Sequence, residues 1–143
     1  MAVISPGSFQ YNFIIACCQS RSGECTVWSP DGRYLAYHSD ESGRYEIYVV
    51  SFPEGDGRWQ VTSDGGVYPR WKGDGNELFY VEGDNLMSVT LDTRTGIKPG
   101  RPRALFTGAS IGAPGPLTRA GFATRRPYDV SGDGQWFVMV QQV

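Results

Sequence analysis

Hydrophobic positions along this chain come in short blocks separated by polar corners. Val27-Trp28-Ser29-Pro30-Asp31-Gly32-Arg33-Tyr34-Leu35-Ala36-Tyr37 runs from an apolar stub, through a tight turn, into an apolar strand. Proline at 30 presets φ for the second position of a type I turn, Asp31 can accept from nearby amides, and Gly32 tolerates positive φ. Tyr34 to Tyr37 place apolar groups on both faces, as a strand covered on both sides requires. Ser39 to Arg44 is a polar hairpin loop, and Tyr45-Glu46-Ile47-Tyr48-Val49-Val50 has the β-branched and aromatic content of a second long strand. Pro53 to Gly57 breaks that strand. Arg58-Trp59-Gln60-Val61-Thr62 alternates polar with apolar, as a half-exposed edge strand does. The unit therefore has four strands.

This unit recurs. Trp28, Asp31, Gly32 and Tyr37 match Trp71, Asp74, Gly75 and Tyr80, each pair 43 positions apart, with Gly73 in place of the turn proline. The second hairpin shortens to Glu82-Gly83-Asp84-Asn85, Leu86-Met87-Ser88-Val89 follows Ile47-Tyr48-Val49-Val50 at an offset of 39, and Arg103-Ala104-Leu105-Phe106-Thr107 stands for Arg58 to Thr62. A third copy starts at Tyr128-Asp129-Val130-Ser131-Gly132-Asp133-Gly134, with Asp133 and Gly134 59 positions after Asp74 and Gly75. The spacing predicts an all-β chain: N-terminal strand or strands over 1–24, blade 1 over 25–66, blade 2 over 67–107, a long inter-blade loop over 108–127 and a partial third blade over 128–143.

Four-stranded units at this period are the signature of β-propeller blades. The Trp28 to Gly32 corner with Ala36-Tyr37, Glu46 to Val50 and Gln60-Val61-Thr62 resembles the TolB-type propeller repeat, a relative of the WD-repeat blade. The Tyr128 to Gly134 segment resembles the final blade of propellers attached to bacterial receptor-like serine/threonine kinases. The resemblance implies blade architecture and is nearly silent on activity; no kinase motif accompanies it.

Propellers close with about four to eight blades, more than this chain encodes. The chain is expected to be part of a longer protein, to pair with a second copy so that two sets of blades complete a ring, or to form an open array with protected ends. Apolar strands left at either end would otherwise expose backbone edges and apolar faces. Phe9 to Cys18 reads as one or two strands. They either pair with Gln135 to Val140, completing the third blade, or replace an upstream blade's outer strands.

Length and charge add bounds. At 143 residues the chain can bury a sizeable core, and its net charge of −2 with mixed signs does not suit nucleic acid or an acidic membrane as the main partner. The apolar run at Phe13 to Cys18 is too short for a secretory signal or a membrane span. As written the chain reads as cytoplasmic, or periplasmic if it is a piece of an exported protein. Cys17, Cys18 and Cys25 fit no zinc spacing and read as buried thiols, with a bridge from Cys17 or Cys18 to Cys25 as the alternative in an oxidising compartment.

Candidate chemistry is sparse, and neither a catalytic, a cofactor nor a metal site is expected. Gly108-Ala109-Ser110-Ile111-Gly112 fits G-x-S-x-G, but Ala113-Pro114-Gly115-Pro116 cannot open the helix an elbow needs and the one histidine, His38, lies upstream. Asp31, Asp74 and Asp133 recur at one turn position beside Gly32, Gly75 and Gly134, which marks them as turn formers. The Ser131 to Trp136 spacing departs from the sialidase Asp-box. His38 reads as a structural hydrogen-bonder, and Tyr45, Trp59, Tyr68 and Trp71 as inter-blade packing. The long loop offers Arg119, Phe122, Arg125 and Arg126, a set able to grip an anionic or carboxylate-bearing protein or peptide. The expected role is a non-catalytic binding or assembly module. The alternatives are an accessory propeller of a larger hydrolase or kinase and a binder of small ligands or carbohydrate.

Overall fold

In a computed structural model, the described residues are 26–107 and 128–139, together with the backbones of two N-terminal strands at 2–4 and 13–15. The strands are β1 (Ala2–Ile4), β2 (Phe13–Ile15), β3 (Thr26–Trp28), β4 (Tyr34–Ser39), β5 (Glu46–Ser51), β6 (Arg58–Gln60), β7 (Val67–Trp71), β8 (Glu77–Glu82), β9 (Asn85–Asp92), β10 (Lys98–Pro99), β11 (Arg103–Thr107), β12 (Tyr128–Val130) and β13 (Phe137–Met139). No helix occurs among the described residues, so none there can cross a membrane as a helix.

Blade 1 is the antiparallel sheet β3-β4-β5-β6. Blade 2 repeats the order as β7-β8-β9-β11. Its outer strand is split. The eight-residue β9 outruns β11, and β10 pairs with its far end at Asp92 and Leu91; the short strand at Lys98–Pro99 had no counterpart in the predicted unit. The third unit contributes β12 and β13, paired antiparallel. The N-terminal strands pair with each other, Ala2 opposite Ile15 and Ile4 opposite Phe13. A strand at Ala2–Ile4 thus precedes the aromatic-rich run Phe9 to Cys18 in which strands were expected, and its described partner is β2 within that run.

The three corners are one structure made three times. Gly32, Gly75 and Gly134 sit at φ +73, +74 and +70, and their N–H groups donate to the carbonyls of Ser29, Lys72 and Ser131, each at 2.9 Å. Asp31, Asp74 and Asp133 accept from the amides of Arg33, Asn76 and Gln135 at 3.1, 2.9 and 3.0 Å. Only glycine takes that left-handed position without steric cost, which explains why Asp-Gly is the most regular feature of the repeat. In corners 1 and 3 a serine hydroxyl bonds the aspartate. In corner 2 the Lys72 ammonium does so at 3.3 Å. Burial would raise Asp31, but the Ser29 hydroxyl and the Arg33 guanidinium hold it down at about 2.

The blades stack face to face. Tyr34, Ala36, Ile47, Val49 and Val61 of blade 1 pack against Trp71, Leu78, Tyr80, Met87, Val89, Leu91 and Ile97 of blade 2. The opposite face of blade 2, with Phe79, Val81 and Leu86, packs against Tyr128, Val130 and Phe137 of the third unit. Leu35, Tyr37, Tyr48 and Val50 form a further buried cluster on the other face of blade 1. Alternation along each strand therefore serves two interfaces, so β4 and β8 read as continuously apolar. Each fully buried aliphatic or aromatic side chain contributes roughly 1.5–3 kcal/mol of transfer free energy.

Candidate functional site

Side chains of three units meet at the innermost strand of blade 2. The register of β7 slips between Val67 and Arg70, and within the slip Tyr68 has φ +56, an unusual conformation for a bulky residue. Both backbone groups of Tyr68 are held by neighbouring blades: its N–H donates to His38 Nδ1 of β4 at 3.1 Å, and its carbonyl accepts from the Tyr128 hydroxyl of β12 at 2.7 Å. The His38 ring stands edge-on to Tyr45 and Tyr68 at 5.3 and 5.5 Å. Two residues on, the buried Arg70 lies 3.9 Å from the Asp129 carboxylate.

The electrostatics follow from burial. Desolvation pulls His38 down from 6.5 to about 4, against a small opposing pull from Asp40. Burial pushes the hydroxyl of Tyr128 up, and that of Tyr68 as well, with Tyr45 adding to the latter. At neutral pH the imidazole is neutral, and because Nδ1 accepts from a backbone amide its proton sits on Nε2. His38 is therefore a structural hydrogen-bonder, as expected. Tyr68 and its bulge escaped the sequence reading, since nothing in Val67-Tyr68-Pro69-Arg70 marks a left-handed tyrosine.

A pH prediction follows. The unfolded chain binds a proton near 6.5 that the folded chain binds only near 4, so the stability His38 contributes is present above 6.5 and is lost as pH falls toward 4. The expected loss is about 3 kcal/mol over that window. His38→Asn keeps an acceptor for the Tyr68 amide and should flatten this part of the pH profile of urea unfolding. An unchanged profile in the variant would contradict the assignment.

A second feature is a cleft of about 340 Å³ between the exit of blade 1 and blade 2, lined by Thr62, Asp64, Tyr80, Glu82, Met87 and Pro102 among others. Burial raises Glu82, and Asp64 and Glu46 add to the effect. Tyr80 is pushed up to about 12 by burial and then by Glu82, Glu46 and Asp64. Two carboxylates, Asp64 and Glu82, line the cleft and make it electronegative.

Beside it lies Glu46, a buried carboxylate that the sequence reading passed over as a strand residue. It accepts from Arg44 Nε at 2.8 Å and from the Gly65 amide at 3.1 Å to both oxygens, and Thr62 Oγ1 donates to it. It clasps the chain where blade 1 hands over to blade 2. Blade 2 has an uncharged counterpart, Thr107 Oγ1 donating to Asn85 Oδ1 at 2.6 Å. The signal was present in the repeat, because Glu46 and Asn85 both open the third strand.

Trp71 is buried and donates from Nε1 to the Val27 carbonyl at 3.2 Å, and Trp59 packs partly buried on the same core, so both are interface residues. Asp31, Asp74 and Asp133 stay in their turns, apart from one another in successive blades. No group of three or more His, Cys, Asp and Glu that could hold a metal occurs among the described residues. Arg119, Phe122, Arg125 and Arg126, the Gly108–Gly112 string, and Cys17, Cys18 and Cys25 lie outside the described residues.

Two four-stranded blades with two strands of a third define a partial β-propeller. No family model matches the chain. It is 53% identical over 36 residues to the Tol-Pal system protein TolB of Syntrophus aciditrophicus (strain SB), a stretch covering 25% of this chain and 8% of that protein. A crystal structure of oligogalacturonate lyase from Vibrio parahaemolyticus, itself a β-propeller, matches with a TM-score of 0.53 at 19% identity over 77% of this chain and 30% of that chain. Together they support a TolB-like β-propeller fold. The chain spans less than a third of either protein.

Proposed function

We propose that the chain is a non-catalytic β-propeller module that works by assembly, its third unit docking further blade-type β structure and its blade-end loops meeting protein or peptide partners. The supporting observation is an exposed apolar pair, Trp136 at 74% and Val138 at 68%. Counted from the corner aspartate, Trp136 corresponds to Tyr34 of blade 1, while Val138 corresponds to Ala36 and to Phe79 of blade 2. Tyr34 and Ala36 are buried against blade 2, and Phe79 against the third unit. Val138 therefore occupies a position that both complete blades bury against the blade that follows, and Trp136 one that blade 1 buries in this way. Apolar surface placed so regularly is an interaction face rather than scattered exposure.

Light scattering tests this. The chain should have a mass above its 15.8 kDa, and the double variant Trp136→Asp with Val138→Asp should be a folded monomer with an unchanged far-UV spectrum. A wild-type chain that stays monomeric at all micromolar concentrations, or a variant that associates as well as wild type, overturns the reading. A second reading, that these blades are one sector of a larger propeller, is favoured by the 30% share of the neighbour's chain that is spanned. It predicts association only with the remaining blades of that protein.

A further inference from the structure

The cleft between blades 1 and 2 has walls from three pieces of chain. Tyr80 and Glu82 stand two apart on β8 and so share a face, and Met87 of β9 lies opposite Tyr80. That face looks toward blade 1, since Tyr80 and Met87 belong to the core between the blades. Thr62 and Asp64 close the cleft from the exit of blade 1, and Pro102 closes it from the lead-in to β11.

Two polar groups of the cleft lack a matching partner. Glu82 makes no side-chain hydrogen bond or ion pair among the described residues, and its surroundings are short of positive charge. Glu46, Asp64 and Glu82 are three carboxylates, and the guanidinium that acts on them, Arg44, is engaged by Glu46 at 2.8 Å and reaches Asp64 only at 3.9 Å. Tyr80 is 1% exposed and lines the cleft, yet its hydroxyl forms no hydrogen bond among the described residues. The charges felt by that hydroxyl are those of Glu82, Glu46 and Asp64, which puts it at the acidic wall. A tyrosine buried to this degree ordinarily finds a partner for its hydroxyl. Here the oxygen is left to accept from a donor that enters the cleft.

We infer that the cleft takes the cationic end of a lysine or arginine side chain from a peptide partner, with Glu82 and Asp64 as counter-charges, the Tyr80 hydroxyl as acceptor, and Met87 and Pro102 along the aliphatic stem. The walls select this chemistry. An anion would meet carboxylates, and the carboxylates are not grouped as a metal ion requires, since no cluster of three or more His, Cys, Asp and Glu occurs among the described residues. A volume of about 340 Å³ with both apolar and acidic walls suits a charge carried on a stem of methylenes, which packs on apolar surface while its tip stays among polar groups. The cleft also opens beside the turn from Glu82 to Asn85, a blade end. The inference therefore rests on the part of the reading above in which blade-end loops meet peptides, and not on association through Trp136 and Val138.

The test is an NMR titration of the isotope-labelled full chain with N-acetyl-lysine methylamide and N-acetyl-arginine methylamide, and with N-acetyl-norleucine methylamide as the uncharged match. The cationic probes should shift the amides of Thr62, Asp64, Gly65 and Glu82, and the norleucine compound should not. Glu82→Gln should weaken that binding about fivefold, and Tyr80→Phe, which removes only the hydroxyl, about threefold. Asp84→Asn removes an equal charge from the adjoining turn, outside the cleft lining, and should leave the affinity within about twofold. Should Tyr80→Phe fail to fold by its far-UV spectrum, the comparison of Glu82→Gln with Asp84→Asn carries the test. No shifts at the cleft, equal shifts with norleucine, or equal weakening by Glu82→Gln and Asp84→Asn overturns the site. A blocked lysine-containing pentapeptide should bind tighter than the lysine compound, and one that binds no tighter assigns the cleft to free small amines and overturns the peptide occupant. A monomeric wild-type chain that still binds at the cleft overturns the assembly reading alone, and a chain that associates without cleft shifts overturns this inference alone.

Discussion

Glu46→Ala should destabilise the chain by about 2–4 kcal/mol, the cost of leaving two hydrogen-bond donors of a buried carboxylate unsatisfied. Glu46 is 2% exposed, and truncation strands the Gly65 amide and the Thr62 hydroxyl and leaves Arg44 without its nearest carboxylate. The damage falls on the hand-over between blades, because Thr62 also accepts at Oγ1 from the Ile47 amide at 2.9 Å. Glu46→Gln keeps the shape and one of the two acceptor oxygens and should lose less than alanine does. Urea unfolding followed by tryptophan fluorescence measures both, and a loss below about 1 kcal/mol for the alanine variant would show the clasp to be decorative.

The second large effect runs against the repeat. Corner 1 carries Pro30 where corner 2 carries Gly73, so the repeat alone suggests that Gly73→Pro restores a better turn. The structure predicts a loss of about 3 kcal/mol instead. The Gly73 amide donates to the Gly132 carbonyl of the third unit at 2.7 Å, which proline cannot do. A Cβ at 73 would also lie 2.4 Å from that oxygen and 3.0 Å from its carbon, far inside contact distance and against backbone. Gly73→Ala isolates the steric part and should cost less than proline. Pro30→Gly should cost only about 0.4–1 kcal/mol, through the greater freedom of the unfolded chain. A neutral or stabilising Gly73→Pro would mean that the corners of blade 2 and the third unit do not touch in solution.

These two sites show where the sequence was legible and where it stopped. The corners were readable because their causes are local: Asp31 bonds its own neighbours and Gly32 needs its own φ, so residue type and position suffice. The strands were readable because burial on two faces makes Tyr34 to Tyr37 and Leu78 to Val81 uniformly apolar. Gly73 was not, because its reason is a carbonyl 59 residues away. Glu46 looked like a polar residue at the start of a strand, and only the fold brings Gly65 and Thr62 to it. Tyr68 hides for the same cause, since its conformation is stabilised by His38 and Tyr128 from two other blades. The loop residues proposed as a grip, Arg119, Phe122, Arg125 and Arg126, were selected by charge and by the length of the loop alone, and they lie outside the described residues.

The most direct test of the central claim, that successive blades stack and the third unit's outer face takes another, is amide hydrogen exchange read by mass spectrometry across a dilution series. The account predicts strong protection of β4, β5, β8 and β9 at every concentration, with protection of Phe137–Met139 rising as the chain is concentrated. Rapid exchange of Phe137–Met139 at all concentrations, with the blade strands protected, would contradict it.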